Sequence, residues 1–220
     1  MILLKVVIFL WLAYQYSATT APTPSPTSLR STMNSISTVA GTGTATSAGL
    51  GGKATSASMN WPRGIWEGTD GTFYVAQDNG NCIVKFTVGG NMFAQAGVCG
   101  TSGTSGVGGQ ATSALINRPF GMVVDTNGIF YFVELANHIV SAVATNGIKT
   151  TFVGTGTAGS TGDNGKATSA TLNYPIGLWM TTSGVLYISN FNSFNVRSIS
   201  TSNIITLFAG NRFYALLISS

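Results

Sequence analysis

The 220 residues hold six Asp or Glu against ten Lys or Arg, one His and two Cys, so 7% are charged where an average soluble domain has roughly 25%. Twenty-eight Gly, twelve Phe, seven Tyr and four Trp favour short strands, tight turns and an aromatic core. This balance excludes a coiled coil, a helical bundle, a polybasic nucleic-acid arm and a zinc site built from several His or Cys.

The chain opens with MILLKVVIFLWLAYQY, in which Lys5 precedes an apolar run from Val6 to Ala13 and small residues follow from Ser17 to Ala21. This pattern predicts a secretory signal over residues 1–21. The apolar run falls short of the roughly 20 residues a membrane span requires, so no stable span is expected. Loss of Lys5 with the leader takes the formal charge from +4 to +3, too weak a field to argue for a nucleic-acid partner. Residues 22–35, PTPSPTSLRSTMNS, read as a solvated Thr/Ser/Pro-rich linker.

Three segments then align almost without gaps: GGKATSASMNWPRGIW from Gly51, GGQATSALINRPFGMV from Gly108 and NGKATSATLNYPIGLW from Asn164. Pro62, Pro119 and Pro175 recur 57 and 56 residues apart, as do Gly64, Gly121 and Gly177. Downstream, Gly71, Gly128 and Gly184 each precede a strand-like run containing Tyr74, Tyr131 or Tyr187, followed by two further apolar runs. Asp70-Gly71, Asn127-Gly128 and Asn146-Gly147 carry hairpin-turn chemistry. Each unit therefore reads as four strands, and such units in tandem are propeller blades that bury their faces on one another.

The stretch VGTGTAGSTGDNGKATSATLNYPIG, from Val153 to Gly177, resembles the connecting segment of NHL-repeat β-propellers, and GVLYISNFNSFNVRSI, from Gly184, resembles the family's strand–turn–strand core. The family's Asn-His step is kept as Asn137-His138, with Asn81-Cys82 and Phe194-Asn195 set at the same step in the other repeats. The resemblance covers residues 36–210 and implies an all-β propeller of about three four-stranded blades. A leading strand, ISTVAG ending at Gly41, is expected ahead of them. Propellers take four to eight blades, so the ring is incomplete in this chain, which reads as part of a longer protein or as a half-ring that self-associates. Residues 211–220 form an atypical apolar tail.

Chemistry is sparse. Gly52-Lys53 and Gly165-Lys166 are followed by Ala54 and Ala167, so the Ser or Thr of a phosphate-binding loop is missing. Asp163 reads as a solvated turn residue, His138 as a satisfied strand-end His, and no catalytic or metal-binding set is assembled. The repeated Ala-Thr-Ser-Ala is expected to make one helical turn with its alanines inward. Trp66 and Trp179 are assigned to blade seams. Trp61, Phe120 and Tyr174 flank the recurring Pro and are candidate rim anchors for a protein or glycan partner.

These readings favour a secreted, non-catalytic binding scaffold without a cofactor. The alternatives are a lactonase-like or lyase-like propeller enzyme with a metal, and an RNA-binding NHL domain. One bridge is expected. A hairpin turning at Gly89-Gly90 sets position 82 opposite 97, so Cys99 lies about two residues past Cys82's partner, within reach of a disulfide in an oxidising compartment.

Overall fold

Each repeat folds as one antiparallel sheet whose strands pair in chain order. In the computed structural model, which describes residues 36–210, the first sheet comprises β1 (Pro62–Glu67), β2 (Phe73–Gln77), β3 (Cys82–Phe86) and β4 (Phe93–Ala96). The second comprises β5 (Pro119–Val124), β6 (Phe130–Glu134), β7 (Ile139–Val143) and β8 (Lys149–Val153). The third opens with the two-residue β9 (Gly165–Lys166), then β10 (Pro175–Met180), β11 (Leu186–Asn190), β12 (Asn195–Ile199) and β13 (Ile204–Ala209); β9 returns to pair with β13. The chain divides into Met1–Ser37 and Thr38–Ser220, and these strands belong to the second unit. The expected signal (1–21), linker (22–35) and tail (211–220) lie outside the described residues. Among the described residues no helix is long and apolar enough to cross a membrane.

The first strand of each blade starts on the recurring Pro, which has no N–H to give a ladder and is tolerated at that position. The pairing register then slips between Pro62 and Ile65, Pro119 and Met122, and Pro175 and Leu178, a bulge that contains the recurring Gly. That Gly is fixed by close approach. A Cβ on Gly64 would collide with the carbonyl oxygen of Phe120, and one on Gly121 would sit 2.5 Å from that of Ile176. The innermost strands β1, β5 and β10 therefore run side by side in matching register, with their Pro starts at one end.

Two seams hold the blades together. Ala76, Ile83 and Ala96 of the first sheet, with Trp66 and Tyr74, pack on Met122, Phe130, Phe132 and Val143 of the second. Val123, Tyr131, Val133 and Val140 of the second pack on Leu186, Ile188, Ile199 and Ile205 of the third. Alternation sends successive side chains of a strand into opposite seams, so every sheet is buried from both faces where it has neighbours on both sides. Trp66 touches both clusters. The Ala-Thr-Ser-Ala segments form single 3-10 turns at Ala54–Ser56, Ala111–Ser113 and Ala167–Ser169, and their flanking alanines are buried as expected.

The disulfide Cys82–Cys99 is present, with Cα atoms 4.9 Å apart. Ile83 pairs with Ala96, which places Cys82 opposite Gly97 and Cys99 just beyond, as the hairpin argument requires.

Four expectations are corrected. The segment ending at Gly41 has no strand pairing among the described residues, because a strand needs a laddered neighbour and none is described ahead of it. It keeps its connector role: the Gly41 N–H donates to the Ala54 carbonyl at 2.9 Å, as Gly97 does to Ala111 and Gly154 to Ala167. Trp179 is 59% exposed, because no described blade follows the third. Asp163 is nearly buried and accepts from Arg197 Nε at 2.8 Å and Nη2 at 2.6 Å, so it balances a buried cation instead of facing solvent. His138 precedes β7 instead of starting it, with a left-handed backbone shared by Asn81 and Phe194, so those three residues occupy equivalent positions.

Candidate functional site

At the end where the inner strands begin, Trp61, Arg118 and Tyr174 precede the three prolines with φ of 55°, 52° and 50°. Bulky residues rarely take this left-handed conformation, which costs on the order of 1–3 kcal/mol unless the surroundings impose it. Here hydrogen bonds impose it. The carbonyls of Trp61, Arg118 and Tyr174 accept from the N–H groups of Asp78, Leu135 and Phe191 at 2.9, 3.0 and 3.2 Å. The N–H of Arg118 donates to Asn81 Oδ1 at 3.0 Å, and that of Tyr174 to His138 Nδ1 at 3.2 Å. Each of these last two bonds crosses from one blade to the next.

Side chains at this end meet in two groups, one around Asp78 and one at His138 and Tyr174. Asp78, with no exposed side-chain surface, receives Arg118 Nε on Oδ1 at 2.7 Å and Arg118 Nη2 on Oδ2 at 3.1 Å, while Arg63 Nε approaches Oδ2 at 3.3 Å. Pairing with Asp78 raises the Arg118 pKa, so the guanidinium stays charged. Arg63 is further held between two rings, its guanidinium carbon 5.2 Å from the Trp61 centroid and 5.4 Å from that of Phe120. The His138 and Tyr174 rings meet edge to face at 4.8 Å. Two arginines, each about 40% exposed, thus share one buried carboxylate among aromatics and leave one positive charge in surplus at the rim.

Of the candidate rim residues, Trp61 is 51% exposed and Tyr174 37%, while Phe120 is half-buried beneath Arg63. Phe120 follows its Pro; the residue equivalent to Trp61 and Tyr174 is Arg118. Sequence reasoning passed over Arg63 and Arg118 and left Asp78 as a carboxylate isolated along the chain. Arg63 and Arg118 each flank a recurring Pro, and that adjacency was the available signal.

Buried ionic groups elsewhere are matched within the fold. Lys149 Nζ lies 2.8 Å from Glu134 Oε1 with both side chains fully buried, and Glu134 also accepts from Asn137 Nδ2 at 2.6 Å and Ser141 Oγ at 2.5 Å. Arg197 also donates through Nη1 to the carbonyl of Thr171 at 2.7 Å and through Nη2 to that of Thr161 at 3.0 Å, which straps the connector onto the third blade. Burial pushes its pKa down to about 10, still charged at neutral pH. Among the described residues no three His, Cys, Asp or Glu side chains gather as a metal site.

No family model and no curated protein matches the chain. Among solved structures it is similar to an auxiliary nutrient binding protein from Bacteroides ovatus, at 20% identity and a TM-score of 0.54, over 71% of this chain and 39% of that one. A second auxiliary nutrient binding protein, from Bacteroides thetaiotaomicron, aligns at 19% identity and 0.52, over 65% and 36%. A Bacteroides thetaiotaomicron protein of unknown function aligns at 23% and 0.52, over 63% and 33%. The chain thus spans less than two fifths of the length of these proteins. At such identities the likeness shows the fold, and that fold is the β-propeller, built here of four-stranded blades.

Proposed function

We propose that the protein is a secreted, NHL-type β-propeller that acts as a non-catalytic binding scaffold and takes its protein or glycan ligand at the rim formed by Trp61, Phe120 and Tyr174, with Arg63 and Arg118. The observation that carries this reading is the strained backbone at Trp61, Arg118 and Tyr174. Positive φ at bulky residues is kept where it aims side chains at a task, and Trp, Tyr and Arg are the side chains that dominate binding surfaces. The NHL-type assignment is supported by the recurring connector and the Asn/His position, whose side chains bond the next blade's backbone. Secretion is supported by the leader-like residues 1–21 and by the disulfide. In this reading residues 22–35 are a linker, 36–210 the blades and 211–220 a separate tail.

The test is a binding screen on immobilised extracellular glycans and secreted proteins of the producing organism, followed by substitution. Tyr174→Ala and Arg63→Ala should each weaken a captured ligand by about tenfold or more, the scale of one interface anchor. Val88→Ala, in the turn at the opposite end of the first blade, should leave it unchanged. Equal retention by all three variants would remove the rim from the reading.

A further inference from the structure

Of the six acidic residues, Asp78 is the one paired with the rim arginines. Glu134 and Asp163 are taken by Lys149 and Arg197, and Glu67, Asp70 and Asp125 lie at the ends of β1 and β5 away from their prolines or in the turns that follow. Both Asp78 oxygens accept from the arginines and the side chain has no exposed surface, so a ligand at the rim reaches the two cations and not the carboxylate. Arg63 Nη1 and Nη2 and Arg118 Nη1 make no hydrogen bond among the described residues.

The fold does not need this charge. At the seam between the second and third blades the residues equivalent to Asp78, Arg63 and Arg118 are Leu135, Phe120 and Tyr174, and the cross-blade bond is still made, from the Tyr174 N–H to His138. A buried carboxylate with its cations adds little net stability. What the charged set supplies is order: Asp78 holds Arg118 by two bonds, and the Arg63 guanidinium stands between the Trp61 and Phe120 rings. Donors already held in place lose little freedom when they take a ligand.

The ligand chemistry follows from this arrangement. One positive charge in surplus matches a singly charged anion, whereas a phosphate monoester carries about −1.5 to −2. The open edges of guanidinium groups are planar forks that suit the two coplanar oxygens of a carboxylate. Beside them Trp61 is 51% exposed and offers a flat ring to an apolar face. A carboxylate borne on a sugar ring brings both features in one rigid unit, while an Asp or Glu side chain loses rotamer freedom when it is held. We infer that the rim between the first and second blades binds carboxylated sugars of the uronic acid type, with the carboxylate at the outer guanidinium edges of Arg63 and Arg118 and the C–H face of the sugar on Trp61. The inference rests on the rim reading above and names its ligand.

Affinity electrophoresis and calorimetry on the full chain, with polygalacturonate and alginate as probes, test it. Both polymers should bind, less tightly in rising salt. The methyl ester of polygalacturonate keeps the rings and removes the charge, and should bind about tenfold or more weakly, the scale of one lost anchor. Arg63→Met should weaken polygalacturonate to a similar degree; Arg118 keeps both bonds to Asp78 in that variant, so no buried charge is stranded. Arg63→Lys, which returns the charge without the fork, should recover only part of the loss, and Trp61→Ala should weaken the acid polymer as well. A methyl ester or neutral dextran bound as tightly as the acid, dextran sulfate or polyglutamate bound more tightly, no binding of either uronate polymer, or an Arg63→Met variant that binds unchanged would each overturn the inference. A ligand of another class that is released by Tyr174→Ala and Arg63→Ala would overturn it and leave the rim reading standing; retention of every captured ligand by those two variants would remove both.

Discussion

Positions 134 and 149 show how a buried charge survives in this fold. In the second blade they hold Glu134 and Lys149; in the first the equivalent residues are Gln77 and Met92, all buried. A buried ion pair contributes little net stability, but removal of one partner strands a charge at about 3–5 kcal/mol. Lys149→Met and Glu134→Gln should therefore each cost several kcal/mol in urea denaturation. The double variant, which copies the first blade, should fall within about 1–2 kcal/mol of the unaltered chain. Costs that simply add would show that the pair is not coupled. His138 is the other informative residue. Burial lowers its pKa, and its unprotonated Nδ1 accepts the Tyr174 N–H. A lowered folded pKa means that the unfolded chain binds the proton more readily, so this contribution is full above the unfolded value near 6.5 and is lost as pH falls through the folded one. Stability should decline from about pH 7 towards acid, and His138→Asn, which installs the residue type of Asn81, should flatten that portion of the profile. An unchanged profile in the variant would assign the decline to other groups.

Among the elements, the first blade alone carries a covalent brace among the described residues, joining β3 to the connector that leaves β4. Closure of a loop with a sequence separation of 17 is worth about 3 kcal/mol in the chain-entropy model. Cys82→Ala with Cys99→Ala should lower the unfolding free energy by up to that amount, with the strand pairing unchanged in circular dichroism; no loss in denaturant would mean the connector is held by packing alone. The inner strands make a second element-scale prediction. Gly121→Ala puts a methyl group 2.5 Å from the Ile176 carbonyl oxygen and 2.9 Å from the Leu178 nitrogen, so β5 and β10 must separate. Overpacking of this kind costs roughly 1–3 kcal/mol. Gly71→Ala, at a φ of 76° with open space around it, should cost less, since it meets backbone strain without a clash.

For the whole molecule, stability is a sum over blades and seams, because each sheet contacts only its neighbours. Trp66 touches the clusters of both described seams, so Trp66→Ala should destabilise the second and third blades as well as the first, by about 3 kcal/mol. Hydrogen exchange should report this as lost protection in β5 and β10; loss confined to β1 and β2 would show that the seams are energetically separate.

The repeat spacing of Pro62, Pro119 and Pro175 was enough to place the blades, because a period near 57 with four turn-bounded apolar runs has few physical solutions other than stacked four-stranded sheets. The Cys82–Cys99 bridge was legible for the same reason: hairpin register is local, and the turn at Gly89-Gly90 determines which residues face each other. What sequence spacing could not supply lay between blades. Asp78 meets Arg118 across 40 residues, and Arg197 meets Asp163 across 34. Charges that look isolated along the chain are matched only when neighbouring sheets are stacked. His138 stands level with Asn81 and Phe194 at the 57- and 56-residue spacing of the repeats, and the left-handed backbone common to the three shows that this position is a turn and not the first residue of a strand. Exposure of Trp179 was likewise decided by tertiary structure: its sequence position is that of a seam residue, and whether a seam exists there depends on what stands beside the third blade.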